Sequence, residues 1–199
     1  MKKLLPFIIA FAIVACNQEN SVSPLLPEIE QQCDTAPHAA YSRLLEIDSE
    51  RELPNDASKA KYALLLTKSA DKAYIRHTSD STIKRALTYY ESKGSTAELV
   101  EALYYMGSVY RDMYDAPKAV IWYNKAIETA QKDEKLKKSI LLARIYSQLS
   151  ELYDYQFNYT ASLDAIRRTT AFSTNLRLGL RSSYVARCFC LASSIRLSA

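Results

Sequence analysis

The stretch LVEALYYMGSVYRDMYDAPKAVIWYNKAIETA, residues 99–130, reads as two helices around a turn. Leu99, Leu103, Met106 and Tyr110 recur at intervals of four, three and four, which places them on one face of an α-helix. Asp115-Ala116-Pro117 interrupts that pattern. A second stripe follows in Ala119, Val120, Tyr123, Ala126 and Ile127. Pro117 falls in the first turn of the second helix, where a missing N–H costs nothing.

Composition extends this reading to the whole chain. The 199 residues include only 3 Gly, at 94, 107 and 179, against 15 Tyr. Sheet-rich folds need turn residues at short intervals, many of them Gly, so a sandwich, a barrel or a doubly wound domain is disfavoured. No two glycines are close enough for a phosphate-cradling loop. With 48% apolar and 24% charged residues the chain is globular, not disordered, and an all-α fold of about one domain is expected.

The opening stretch resembles a tetratricopeptide repeat. With Gly107 on the repeat's glycine, Leu103 takes the Trp position and Met106 the Leu position. Tyr110, Ala119 and Tyr123 take the Tyr, Ala and Phe positions, Ala126 the next small one, and Gln131 stands where the closing Pro belongs. A looser copy begins 43 residues later, with Tyr146, Leu149, Ser150 and Tyr153, then Asn158-Tyr159, then Ser162, Ile166 and Thr169. The added length coincides with the charged run 132–138, read as a longer loop or longer helices. Gly107 and Ala119 are expected where helices cross closely, with Tyr110 and Tyr123 filling wider spaces. The resemblance implies an α-solenoid of antiparallel helix pairs.

Upstream, residues 57–73 and 81–93 form another expected pair, facing inward through Tyr62, Leu65, Leu66 and Ser69, and through Ile83, Ala86, Leu87 and Tyr90. Asp80 or Ser81 is expected to cap the second of these helices. Residues 28–33 and 37–47 form a further pair, closed by Pro54-Asn55-Asp56. The repeat domain is thus expected over 28–173. This organisation, with the phrases 61–68, 71–75 and 79–81, resembles the tetratricopeptide lipoproteins common in Bacteroides-type bacteria. In that family such arrays are often the envelope-side part of longer signalling chains.

The N-terminus carries an address. Lys2-Lys3 precedes twelve uncharged residues, Leu4 to Ala15, the layout of a secretory signal and too short for a conventional membrane span. Ile13-Val14-Ala15-Cys16 resembles the bacterial lipoprotein signal. The resemblance implies lipid transfer to the Cys16 thiol, cleavage after Ala15 and a membrane anchor on acyl chains. Residues 17–27 read as a polar tether; with only Glu19 acidic, the run that marks surface export in some phyla is absent. The expected location is the cell envelope, on the periplasmic side of the inner or outer membrane. Cys33, Cys188 and Cys190 are an odd set without metal-ligand spacing and read as small buried residues.

The other end shifts in composition. Residues 165–199 contain six arginines and no acidic residue. Setting aside Lys2 and Lys3 leaves +2 of the chain's +4, so residues 17–164 carry −4. Three readings fit residues 174–199: a degenerate last helix, with Tyr184, Val185, Cys188, Leu191 and Ile195 at helical spacing; a segment for an anionic surface; or the end of a truncated or frame-shifted gene. A lipid-anchored exported protein does not meet the chromosome, so no nucleic-acid partner is expected.

No catalytic constellation emerges, and no metal or cofactor is expected. His38 and His77 lack a ligand spacing and read as solvated. Acidic pairs such as Glu28/Glu30 and Asp48/Glu50 read as helix edges, and the tyrosines mostly as core packing. Asn158-Tyr159-Thr160 matches a glycosylation sequon but reads as the repeat turn; Asp34-Thr35-Ala36 and Asp80-Ser81-Thr82 weakly resemble an O-glycosylation sequence of Bacteroides-type exported proteins. The expected function is binding of a protein or peptide along a concave face lined by first-helix residues. Those residues are Glu101, Tyr104, Ser108 and Arg111, then Arg144, Ser147, Glu151 and Asp154. The set lacks the Lys/Asn clamp for a C-terminal carboxylate. Alternatives are a sensory input domain, whole or remnant, and a glycan-binding lipoprotein, for which the single Trp122 is a poor platform.

Overall fold

A computed structural model describes residues 25–176, with side chains up to residue 171. The signal segment with Cys16, tether residues 17–24, Cys188, Cys190 and the basic tail past 176 lie outside the described residues. The described residues form eight α-helices and no strand. They are α1 (Leu26–Thr35), α2 (Pro37–Leu45), α3 (Asp56–Lys72), α4 (Ser81–Lys93), α5 (Thr96–Asp112), α6 (Ala116–Ala130), α7 (Ile140–Tyr155) and α8 (Tyr159–Leu176). None of these helices is long and apolar enough to cross a membrane. The first helix takes in the last two residues expected of the tether, because Leu26 is buried with Ile29 and Cys33.

Local chemistry starts most helices. Asn55 accepts from the Ser58 N–H at α3, Asp115 from Lys118 at α6, and Ser139 from Leu142 at α7. At α5, Ser95 and Glu98 satisfy each other's backbone N–H groups in a capping box. Asp80 does not cap α4: its carboxylate accepts from the Tyr110 hydroxyl at 2.8 Å. The charged run 132–138 forms a loop with one 3-10 turn, Leu136–Lys138, so the added length lies between helices.

Helices pack in sequence: α3 on α4, α5 on α6, α7 on α8, with each pair also touching the next. The apolar stripes meet in one core running from Ala60 to Ala165. Helices α1 and α2 close a second cluster with Leu53 and Leu65. Helix α3 is the shared wall, since Leu64 faces the main core and its neighbour Leu65 the N-terminal one. All eleven expected packing positions, Leu103, Met106, Gly107, Tyr110, Ala119, Tyr123, Ala126, Tyr146, Leu149, Tyr153 and Ser162, are buried or packed on this core.

Gly107 makes a close approach. A Cβ there would lie 2.5 Å from Cδ1 and Cε1 of Tyr123. The Tyr123 ring therefore fills the crossing that Gly107 opens, instead of a separate wider space. Its hydroxyl reaches Ser108 Oγ at 3.2 Å.

Candidate functional site

The first helix of each of three successive pairs ends in the same turn. Tyr74, Tyr114 and Phe157 have φ of 57°, 62° and 57°. The next residue's N–H reaches back five positions, from Ile75 to Ala70, from Asp115 to Tyr110 and from Asn158 to Tyr153, at 2.8–2.9 Å. Tyr74, Tyr114 and Phe157 themselves donate to Asp71, Arg111 and Asp154. This is a Schellman closure, which satisfies the last carbonyls of a helix and normally places Gly in the left-handed position. Here that position holds an aromatic side chain each time, at a steric cost of about 1–2 kcal/mol. The rings are not repaid by burial: Tyr74 is 95%, Tyr114 78% and Phe157 77% exposed.

Between the ends of α3, α5 and α7 lies a cleft of about 580 Å³. Tyr74, Tyr114 and Tyr155 supply its aromatic wall, and Ile75, Ala116 and Leu152 its apolar floor. Its charged lining is Asp71, Arg76, Arg111, Asp112 and Glu151.

Arg111 ties three helices together. It donates to Asp71 of α3 at 2.7 Å, to Gln148 of α7 at 2.5 Å and to its neighbour Asp112 at 2.8 Å. The second carboxylate oxygen of Asp112 receives His77 Nδ1 at 2.7 Å, and Nε2 of the same ring lies 3.3 Å from the Thr67 carbonyl. Burial works against the charge of Asp112, but the bonds from His77 and Arg111 outweigh it and hold its carboxyl below the ordinary aspartate value. His77, expected to be solvated, is instead a latch: its side chain is 12% exposed and fastens the α3–α4 loop to α5. His38 is exposed. Arg76 donates through Nε to the Asp112 carbonyl and stacks its guanidinium 4.3 Å from the Tyr114 ring centre.

Of the eight residues expected along a groove, only Arg111 and Glu151 line this cleft. Tyr104 and Ser108 are buried, against expectation. The Tyr104 ring packs on Tyr105 and Tyr123, and burial pushes its hydroxyl up to about 12. Glu101 pairs with Lys68 of α3 at 2.9 Å. Arg144 and Asp154 are exposed, and Ser147 is half-buried. The physical reason is that Tyr123 of α6 reaches across to Tyr104 and Ser108, while Lys68 and Asp71 of α3 pair with Glu101 and Arg111, so the α5 face expected to be open is covered. The tyrosines likewise divide: Tyr90, Tyr104, Tyr105, Tyr123 and Tyr146 are core, whereas Tyr74, Tyr114, Tyr155 and Tyr159 are exposed.

Cys33 is buried, and burial raises its thiol to about 11. Among the described residues no group of His, Cys, Asp and Glu is arranged to hold a metal ion.

No protein family matches the chain, and neither does any curated protein. Among solved structures, the chain is similar in fold to the crystal structure of BtubC (BKLC) from P. vanneervenii, with a TM-score of 0.55 and 16% identity. The likeness covers 87% of this chain and 66% of that one. At that identity it bears on the helical fold alone.

Proposed function

We propose that this protein is an envelope lipoprotein whose helix pairs form a tetratricopeptide-like scaffold for a protein or peptide, without catalytic activity of its own. The observation that carries the scaffold reading is the recurring turn at Tyr74, Tyr114 and Phe157, spaced 40 and 43 residues apart. It divides α3 to α8 into three units of one design, each a helix pair leaning on the next. Stacked units of this kind present first-helix ends side by side, a surface suited to an extended chain. The cleft lies on that surface. The anchor reading rests on Ile13-Val14-Ala15-Cys16 behind an apolar segment.

Labelling cells with radioactive palmitate tests the anchor. Label is expected in the wild type and absent from Cys16→Ala; equal label in both defeats it. Crosslinking in intact cells tests the scaffold. Recovery of a discrete protein partner is expected, and recovery of bound glycan with no protein overturns the reading.

A further inference from the structure

One charged group of the cleft lining stands apart from the rest. Arg111 is engaged by Asp71, Asp112 and Gln148. Arg76 is engaged by the Asp112 carbonyl and the Tyr114 ring. These contacts also occupy both carboxylates. Glu151 is the lining charge left over: among the described residues it has no ion pair or side-chain hydrogen bond. It lies in the C-terminal third of α7 at the cleft and is half-buried. Burial raises its carboxyl above the ordinary glutamate value, with Arg111 acting the other way.

A carboxylate partly withdrawn from water without a partner costs a fold some stability that a bound counter-charge would return. A cation would complete it here, and its surroundings narrow the chemistry. Tyr155 lies one helical turn beyond Glu151 on the same face and is 75% exposed, and Tyr114 and Tyr74 stand opposite at the ends of α5 and α3. Aromatic faces attract cations, and a flat guanidinium gains most because it stacks and still donates in its plane. Arg76 lying over Tyr114 shows this packing already in use at the rim. The strained left-handed tyrosines fit the same purpose, since the turn aims their rings outward at a conformational cost that a Gly would avoid.

We infer that the cleft between α3, α5 and α7 is a receptor for an arginine side chain of a peptide or protein partner, with Glu151 as the ion-pairing group and Tyr155 and Tyr114 as the stacking walls. The inference rests on the scaffold reading above and names the chemistry of its ligand.

The test uses full-length protein purified from membranes in detergent. The probe is fluorescein-labelled Gly-Gly-Arg-Gly-Gly amide, read by polarisation, beside the same peptide with citrulline, the neutral isostere, in place of arginine. The arginine probe is expected to bind at least tenfold tighter than the citrulline one. Glu151→Gln is expected to erase that difference, and Tyr155→Ala to weaken the arginine probe at least threefold. Helical circular dichroism should match wild type in both variants, because Glu151→Gln preserves shape and Tyr155 is exposed. Equal binding of the two probes, undiminished binding to Glu151→Gln, or displacement by the neutral sugar maltohexaose but not by free arginine peptide overturns the inference. If the crosslinked partner is retained undiminished by Glu151→Gln, the arginine receptor fails while the scaffold stands. If wild type captures no protein and binds neither probe, both fail.

Discussion

One methyl group probes the tightest point of the core. Gly107→Ala gains up to about 1 kcal/mol of helix propensity. It also forces a Cβ to within 2.5 Å of the Tyr123 ring. That ring is fully buried and has nowhere to turn. Overpacking typically costs about 1–3 kcal/mol, so a net loss near 1–2 kcal/mol is expected in urea unfolding, and an unchanged midpoint would contradict the crossing described above. Two buried tyrosines make a paired test. The Tyr123 hydroxyl is bonded to Ser108, whereas the Tyr90 hydroxyl is buried without a partner among the described residues. Tyr123→Phe should cost about 1 kcal/mol, and Tyr90→Phe should be neutral or stabilising, because it removes an unsatisfied polar atom. Nothing in the sequence separates these two residues. Both sit on inward stripes, and only the packed neighbours decide whether a hydroxyl finds an acceptor.

Helix boundaries were legible because they are set locally. The stripes of α3 to α6, the break at Asp115 and the position of Pro117 are all encoded within a few residues of where they act. The turns that close α3, α5 and α7 were not. Their left-handed residues are aromatic, and the usual sequence signal for that conformation is Gly. Asp80 was misread for a related reason: its carboxylate has a local use as a cap and a distant one at Tyr110, and the distant one wins. The turn yields its own prediction. Tyr74 is 95% exposed, so replacing it removes almost no packing. Tyr74→Gly should therefore stabilise the protein by about 1 kcal/mol, through relief of left-handed strain. Tyr74→Val should destabilise it, since a β-branched residue tolerates positive φ least. Thermal unfolding of the two variants checks the order, and a more stable Val variant would refute the strain argument.

The molecule as a whole is held by contacts between residues some 35–40 positions apart, and these were the least legible from the chain. Arg111, expected along a groove, lines the cleft at the helix ends. Its role as the tie between α3, α5 and α7 depends on Asp71 and Gln148 arriving from other units. Tyr104 and Ser108 are buried instead of open because the Tyr123 ring of α6 packs on the one and its hydroxyl bonds the other. The same network sets the acid response. Asp112 titrates below its ordinary value in the folded protein. Its stabilising contribution is then complete above the ordinary aspartate pKa of about 3.9 and is lost as pH falls through the lower folded value. Glu151 has the opposite sign: its pKa is raised, so its charge costs stability above that raised value, and the cost disappears as protonation proceeds downward through the glutamate range. Stability should therefore hold or rise slightly on mild acidification and fall steeply below about pH 4. Asp112→Asn should lose about 1.5–3 kcal/mol at pH 7, with a shallower further loss on going to pH 3 because the titrating group is gone. Urea midpoints at pH 7, 5 and 3 for both proteins decide the matter. Parallel acid slopes in wild type and Asp112→Asn would show that the Arg111–Asp112–His77 junction does not govern the stability of the stack.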